Sequence, residues 1–294
     1  ATGVSVNLAG GNGDLGGFGS NPGADGVAGS SGNLALAGGT LQLPTVGWLE
    51  NTATFIGNFA FTGGTLKTSD PSAALSLDNA SRLGQALANP DVTANRTLDL
   101  AGNLEFSGAF AGTGGLTKAG TGTLTLSGAN THTGDTTINS GTLLIDNANA
   151  LQNSTLIIAS DLSFGSLTDA NLGGLAGSRN LGLVNASASS VALNVGDNNA
   201  STTYSGVLSG AGSLTKTGTG TLTLSGNHTY TGATIIEAGT IAVADGTIGS
   251  GDLTINGGSL TASKLLRFDQ SVSVASAAST LSTTGFLEIG SIGN

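Results

Sequence analysis

The chain repeats one short phrase almost unchanged, and this repetition restricts its fold more than any other feature of the sequence. GGLTKAGTGTLTLSG occupies residues 114–128 and GSLTKTGTGTLTLSG occupies residues 212–226, with 13 of the 15 positions identical. A shift of 98 positions superposes residues 107–143 on residues 205–241 without a gap. A fixed internal period predicts stacked structural units rather than a single globular core.

Shorter phrases that recur off this period indicate that the structural unit is smaller than 98 residues. GNLALAGGTL at residues 32–41 resembles GDLTINGGSL at residues 251–260. In GTLTLSG, Leu124 and Leu126 alternate with threonines, which places apolar side chains on one face of a strand and hydroxyls on the other. Each phrase therefore predicts a half-buried strand enclosed by glycine turns.

Composition favours a β-solenoid among the all-β folds. Only 4% of residues are aromatic, with one tryptophan and two tyrosines, which is little bulk for the core of a sandwich. Propeller blades of about 40 to 50 residues do not fit the spacing of the turns. A solenoid coil of roughly 20 to 25 residues stacks small side chains on identical neighbours at about 4.8 Å. We therefore predict an all-β protein, a parallel β-helix forming an elongated rod.

The sequence divides into four parts. Residues 1–30 form a glycine-rich N-terminal segment, which we expect to act as a cap or a subunit contact. Residues 31–105 form irregular first coils, since all four prolines and the cluster of Trp48, Phe55, Phe59 and Phe61 lie in the first third. Residues 106–203 are the first 98-residue repeat, and residues 204–294 are the second repeat with partial following coils.

Residues 114–143 and 212–241 resemble the passenger-associated transport repeat, also called the autotransporter-associated β-strand repeat, of bacterial autotransporter passengers. The resemblance implies a right-handed parallel β-helix located outside the cell or at the cell surface of a Gram-negative bacterium. It implies no catalytic residues. The residues that define the repeat are structural: Leu116, Lys118, Gly120, Leu124, Leu126, Gly128, Gly134, Leu214, Lys216, Gly218, Leu222, Leu224, Gly226 and Gly232.

Charge and residue inventory exclude several kinds of function. The net charge of −10 comes from scattered acids, which repel phosphate backbones, so we expect no nucleic-acid partner. The absence of cysteine removes thiolate metal sites and cysteine nucleophiles. No apolar run is long enough for a membrane-spanning helix. We expect no cofactor, no metal site and no catalytic residue.

Several residues suggest chemistry but have a simpler interpretation. His132 and His228 lie in polar segments, which predicts solvated loop histidines. Lys118 and Lys216 are expected to be solvated charges at strand edges. GGNGDLGGFG at residues 10–19 departs from the calcium-binding nonapeptide and occurs once, which indicates a turn-rich segment. The acid pairs nearest in sequence do not predict a shared site: Asp14 with Asp25, Asp161 with Asp169, and Asp245 with Asp252.

These observations favour a structural or adhesive surface protein that is not an enzyme. Its expected partners are further copies of the chain, end to end or laterally, and components of a cell surface or matrix. Residues 285–294 resemble residues 96–103, which precede a lysine-bearing repeat, so we expect either a longer parent chain or stacking of subunits. The alternative is a β-helical protein that binds or degrades polysaccharides. In some β-helical enzymes paired carboxylates catalyse the cleavage of acidic polysaccharides.

Overall fold

The structure is a computed structural model that describes residues 95–101, 103–106, 110–244, 247–263 and 270–284 in full. Seven strands before residue 95 and two near the C-terminus, residues 266–268 and 287–289, are described by their backbone alone. The described residues form strands, turns and bends, with no helix among them. None of them therefore forms a helix that is long and apolar enough to cross a membrane.

The chain folds as two compact units, Ala1–Leu144 and Ile145–Asn294. The strands of the first unit are β1 (Ser5–Leu8), β2 (Asn12–Asp14), β3 (Gly32–Leu36), β4 (Thr40–Leu43), β5 (Gly57–Phe61), β6 (Gly64–Thr68), β7 (Ala74–Leu77), β8 (Arg96–Leu100), β9 (Asn103–Phe106), β10 (Leu116–Ala119), β11 (Thr123–Leu126) and β12 (Thr136–Ile138), and β13 (Thr142–Ile145) ends at the boundary.

The second unit is also built of strands, most of them short. They are β14 (Leu151–Ile158), β15 (Asp161–Ser163), β16 (Asp169–Gly177), β17 (Leu181–Gly182), β18 (Ala192–Val195), β19 (Thr202–Tyr204), β20 (Leu208–Ser209), β21 (Ser213–Lys216), β22 (Thr221–Leu224), β23 (Thr234–Ile236), β24 (Thr240–Val243), β25 (Leu253–Ile255), β26 (Ser259–Ala262), β27 (Leu266–Phe268), β28 (Val272–Val274), β29 (Thr280–Thr283) and β30 (Leu287–Ile289).

In the first unit strands pair in parallel with strands one coil further along the chain, and the sheet of β1, β3 and β5 ends at β5. Arg96 lies beside Leu116, and Leu116 lies beside Thr136, so each coil advances the chain by 20 residues. Earlier coils are longer: Thr40 lies beside Thr65, and Gly64 lies beside Arg96. The extra residues fall between strands, because parallel register fixes only the residues that pair.

The second unit has the same parallel stacking, with its coils joined along three sides. One side runs through β21, β23, β25 and β28, and another through β22, β24, β26 and β29. A third side ends in the pair β27 and β30. From β21 onward paired residues on neighbouring coils are 19 to 21 residues apart, as in the pairing of Thr221 with Thr240 and of Ser259 with Thr280. Earlier in this unit the spacing is wider, since Gly177 pairs with Tyr204.

Alternation along the strands places the core inside the coils. Leu222 and Leu224 of β22 are 1% and 0% exposed, whereas Thr221 and Thr223, which alternate with them, face outward. The register puts Leu222 beside Ile241, and Ile241 beside Leu260, so buried aliphatic side chains form a continuous column. Each buried leucine or isoleucine contributes about 1.5 to 3 kcal/mol.

Polar side chains also stack on their own kind. Asn171 donates from Nδ2 to Oδ1 of Asn149 at 2.6 Å, and Asn194 donates in the same way to Asn171 at 2.8 Å. Such a ladder satisfies each amide with the amide of the next coil, so polar groups near the core lose little hydrogen bonding to water.

The predicted all-β parallel β-helix is confirmed, and the coil length lies at the short end of the expected range. The right-handed sense of the β-helix and the division of the chain into four parts stay predictions. The side chains of the aromatic cluster lie outside the described residues, as does most of the glycine-rich phrase at residues 10–19, in which only Asn12–Asp14 is described, as a strand.

Candidate functional site: the buried polar corner of the repeats

The residues that define the repeat occupy equivalent places in the two units. The leucines point inward and are at most 2% exposed: Leu116, Leu124, Leu126, Leu214, Leu222 and Leu224. Gly120 and Gly218 have φ values of +72° and +59°, which favour glycine over any L side chain. Gly134 and Gly232 stand where the backbone of the neighbouring coil leaves no space for a Cβ atom. These positions shape the coil and present no group to a ligand.

The two repeat lysines are buried inside the coils. Lys118 is 0% exposed and lies between Leu98 and Ile138 in an otherwise aliphatic column. Its ammonium reaches the turn at the end of β10, where Nζ donates to the carbonyl oxygens of Ala119 at 2.7 Å and Gly120 at 2.9 Å. A third bond of 3.1 Å goes to Ser140 O on the next coil. One side chain thus caps carbonyls of two successive coils.

Lys216 repeats this arrangement in the second unit. It is 1% exposed, it lies between Val195 and Ile236, and its Nζ donates to the carbonyl oxygens of Thr217 and Gly218, the latter at 3.0 Å. A Cβ atom on Gly239 of the next coil would lie 2.9 Å from this Nζ. Glycine at that corner therefore leaves room for the ammonium.

The prediction that both lysines are solvated is wrong. Burial lowers the pKa of both amines, to about 8 for Lys118, and the nearby Asp99 and Asp197 act in the opposite direction. The apolar stem fits a column that Leu or Ile otherwise fills, while the charged end donates to carbonyl oxygens of the turn. The lysine is a structural cap of the coil corner.

The third side of each repeat carries a pair of buried polar side chains. Oδ1 of Asn130 accepts from the backbone N–H of Phe110 at 2.8 Å, and Nδ1 of His228 accepts from that of Leu208 at 3.0 Å. These are the same position in the two repeats, because the 98-residue shift superposes Asn130 on His228 and Phe110 on Leu208. An amide oxygen and an imidazole nitrogen therefore perform one task.

Two residues further along the chain, each repeat carries a second buried polar side chain. Nε2 of His132 lies 2.8 Å from Oγ1 of Thr136, and the hydroxyl of Tyr230 lies 2.5 Å from Oγ1 of Thr234. The shift of 98 again superposes histidine on tyrosine and threonine on threonine. Both side chains tie the third side of a coil to the strand that begins the next coil.

The prediction that His132 and His228 are solvated loop residues is wrong, since each is 2% exposed. A signal was present in the sequence, because NTHT at 130–133 and HTYT at 228–231 alternate large polar residues with threonine, as a half-buried strand does. Burial lowers the pKa of both histidines to about 4, with a further contribution from the Arg96 charge at His132. Both are neutral near pH 7.

Arg96 is the one buried charge of the first unit, among the described residues, that the second repeat does not reproduce. It is 1% exposed, its Cζ lies 5.6 Å from the centre of the Phe110 ring, and Nη2 donates to Ala111 O at 3.0 Å. Leu193 holds the corresponding place beside Leu214 in the second unit. Stacking on Phe110 and the carbonyl bond offset part of the cost of burying this guanidinium.

The acid pairs do not converge on a site in the described part of the chain. Asp161 forms an exposed ion pair with Arg179 at 2.6 Å, and Asp169 begins β16. Asp252 is exposed, whereas Asp25 and Asp245 lie outside the described residues and Asp14 is described only by its backbone. The described residues contain no group of three or more potential metal ligands among His, Cys, Asp and Glu. The polar corner links neighbouring coils through its hydrogen bonds.

Comparison with known families identifies these two stretches. The family model of the passenger-associated transport repeat matches residues 116–145 and 214–243. The matched residues include both lysine corners and both buried polar pairs. No curated protein and no solved structure matches the chain.

We expect the free energy of unfolding to rise with pH between about pH 8 and pH 10 because of the buried lysines. The folded pKa of Lys118 is about 8, whereas an unfolded lysine keeps about 10.4. In this window the unfolded chain binds more protons, so a higher pH favours the folded state, by about 1 to 2 kcal/mol for one lysine. Denaturant titrations at several pH values measure the rise.

The control for this lysine effect is a pair of substitutions beside the lysines. Lys118→Met with Lys216→Met should flatten the profile, whereas Thr117→Ala with Thr215→Ala should leave it unchanged. Burial raises the pKa of Tyr204, so tyrosine ionisation opposes folding only above about pH 10. A wild-type stability that is constant from pH 8 to about pH 10 would contradict the lysine assignment.

Acid should destabilise the chain through its two histidines. Their folded pKa values of about 4 lie below the unfolded value of about 6.5, so this stability is complete above pH 6.5 and is lost as the pH falls through 4. Each histidine contributes up to about 3 kcal/mol. Protonation of His228 also removes the acceptor for the Leu208 N–H.

The chain itself supplies the matched variants for the histidines. His132→Tyr and His228→Asn install the residues of the other repeat, and together they should shift the midpoint of acid unfolding to lower pH. Thr131→Ala with Thr229→Ala, at exposed neighbours, should not shift it. Equal acid midpoints for wild type and the histidine pair would refute this explanation, as measured by circular dichroism.

Proposed function

We propose that this chain, which carries two passenger-associated transport repeats in a stacked parallel β-helix, is autotransporter passenger-like and serves as a structural stalk at a bacterial surface. The single observation that carries this proposal is the use of buried polar groups. Lysine, histidine, asparagine and tyrosine all bond to the backbone or to side chains of their own or the next coil. These bonds join neighbouring coils, while Nδ1 of His132 and Nε2 of His228 are buried without a hydrogen-bond partner.

Passenger repeats imply a secreted or surface-exposed location in Gram-negative bacteria. In our proposal the coils act as a spacer and present a hydroxyl-rich surface with scattered acidic groups to their surroundings. Outward threonines such as Thr221, Thr223 and Thr240 supply that surface. Its partners are components of a cell surface or matrix and further copies of the chain, and it performs no catalysis.

Labelling of intact cells tests the location. Antibodies against the purified chain should label the surface of unpermeabilised cells of the bacterium that produces it, and external protease should remove the label. A periplasmic and a cytoplasmic marker protein should survive the same treatment. Label that appears only after permeabilisation would contradict the proposal of a surface stalk.

A more specific role is end-to-end assembly, which the exposure of Val274 supports. Val274 continues the column of Lys216, Ile236 and Ile255, whose members are at most 1% exposed, yet it is itself 52% exposed. Among the described residues its strand β28 pairs only with β25. A further coil stacked on β28 would cover about as much apolar surface as each internal coil does. In this proposal a second copy supplies that coil.

Assembly through this end predicts a specific effect of charge. Light scattering and sedimentation should show that the mass of the wild-type particle grows with concentration. Val274→Asp should return it to the monomer, because a carboxylate buried in this column would lie among carbonyl oxygens, which cannot donate to it. Ser273→Asp, on the outward face of the same strand, should leave assembly intact. A wild type that is monomeric at all concentrations would exclude assembly through Val274.

The alternative class is a polysaccharide-binding or polysaccharide-degrading β-helix. Its support is a shallow groove in the second unit lined by hydroxyls, among them Thr168, Ser189, Ser190 and Ser213. Hydroxyl groups suit sugars, but the lining holds neither an aromatic ring nor a carboxylate. Release of reducing ends from acidic or neutral glycans, lost on replacing one aspartate, would establish this alternative instead.

A further inference from the structure

The turn between β25 and β26 combines the two residues at which a polypeptide most readily modifies itself. Asn256 is exposed and is followed by Gly257, whose φ is +110°. Glycine has no side chain to obstruct an attack of its backbone nitrogen on the preceding asparagine. The one other asparagine–glycine sequence in the chain is Asn12–Gly13.

We propose that Asn256 is a site of spontaneous deamidation and that Ser279, on the next coil, holds the reaction in check. In the reaction the backbone nitrogen of Gly257 loses its proton and bonds to Cγ of Asn256. The bond from Cγ to Nδ2 breaks and ammonia leaves, which forms a cyclic imide. Water then opens the ring at either carbonyl and yields aspartate or isoaspartate.

The hydrogen bonding of the turn opposes the first step. The N–H of Gly257 donates to Oγ of Ser279 at 2.8 Å. Attack requires this nitrogen to lose its proton and to swing toward Cγ, and the bond to Ser279 resists both changes. The backbone of Asn256 is also held, because its N–H donates to Ile236 O at 2.8 Å.

Ser279 is itself fixed in the position that protects the turn. Its Oγ donates to Ile255 O at 2.9 Å, and its backbone N–H donates to Ser276 O at 3.0 Å. The Ser279 hydroxyl therefore accepts from one residue of the turn and donates to the strand just before it. Protection of Asn256 depends on the next coil being stacked in place.

Deamidation would weaken the contact with the preceding coil. The register pairs Ile236 with Ile255, so the next residues, Glu237 and Asn256, are neighbours on adjacent coils, and both are exposed. A carboxylate at 256 faces the Glu237 carboxylate at a coil spacing of about 4.8 Å, and like charges opposite each other are destabilising. Isoaspartate also lengthens the backbone between β25 and β26.

Peptide mass spectrometry of the whole chain, aged in mildly alkaline buffer, measures the reaction at Asn256. We expect the folded wild type to react more slowly than the same protein in urea. Ser279→Ala should accelerate the folded reaction by between about two-fold and ten-fold, the range that one ordinary hydrogen bond controls. Ser279→Thr, which keeps the hydroxyl, should restore protection.

Matched controls separate this effect from general loosening of the fold. Ser282→Ala, at an exposed residue of the same coil, should leave the rate at Asn256 unchanged, and the rate at Asn12 should be equal in all variants. Circular dichroism checks that Ser279→Ala is folded. Equal rates for folded wild type and Ser279→Ala, or for folded wild type and urea-unfolded chain, would overturn the proposal. If Ser279→Ala does not fold, Ser279→Cys, whose thiol is only a weak hydrogen-bond acceptor, replaces it in the comparison.

Discussion

Parallel stacking of backbone on backbone is the constraint on which the rest of the structure depends. In the repeats, paired strands lie about 20 residues apart, so paired side chains meet the side chain at the same place in the next coil. Leucine lies on isoleucine and asparagine on asparagine, and the cross-section must stay nearly constant from coil to coil. Added residues are accommodated between paired strands, as in the 32-residue spacing from Gly64 to Arg96, and in one register shift between Leu151 and Thr155 of β14.

The same constraint explains why polar groups are buried in a chain with so few charged residues. Turns at the corners leave backbone carbonyls that point inward, and an aliphatic column supplies no donor for them. Lys118 and Lys216 fill an aliphatic position with their stems and cap those carbonyls with their ammonium groups. The cost of desolvating the charge, visible in the lowered pKa, is offset by several charge-assisted hydrogen bonds.

The two repeats also show which feature of a buried polar residue matters. Asn130 and His228 differ in size and titration but offer an acceptor to the same backbone N–H. His132 and Tyr230 differ equally and reach the same threonine. A coil corner therefore selects for a hydrogen-bonding atom at one point in space and accepts several side chains that provide it. The choice of histidine adds sensitivity to acid that asparagine and tyrosine lack.

The all-β class, the parallel stacking and the repeat follow from the sequence alone, since glycine-bounded alternation such as that of Leu124 and Leu126 is a local pattern. The environment of Lys118 and His228 does not, because a polar residue in a polar phrase suggests solvent. The fold places these residues inward, where each also bonds to a residue 20 or more positions away. Burial of a charge depends on what the next coil offers, and that information is not local in the chain.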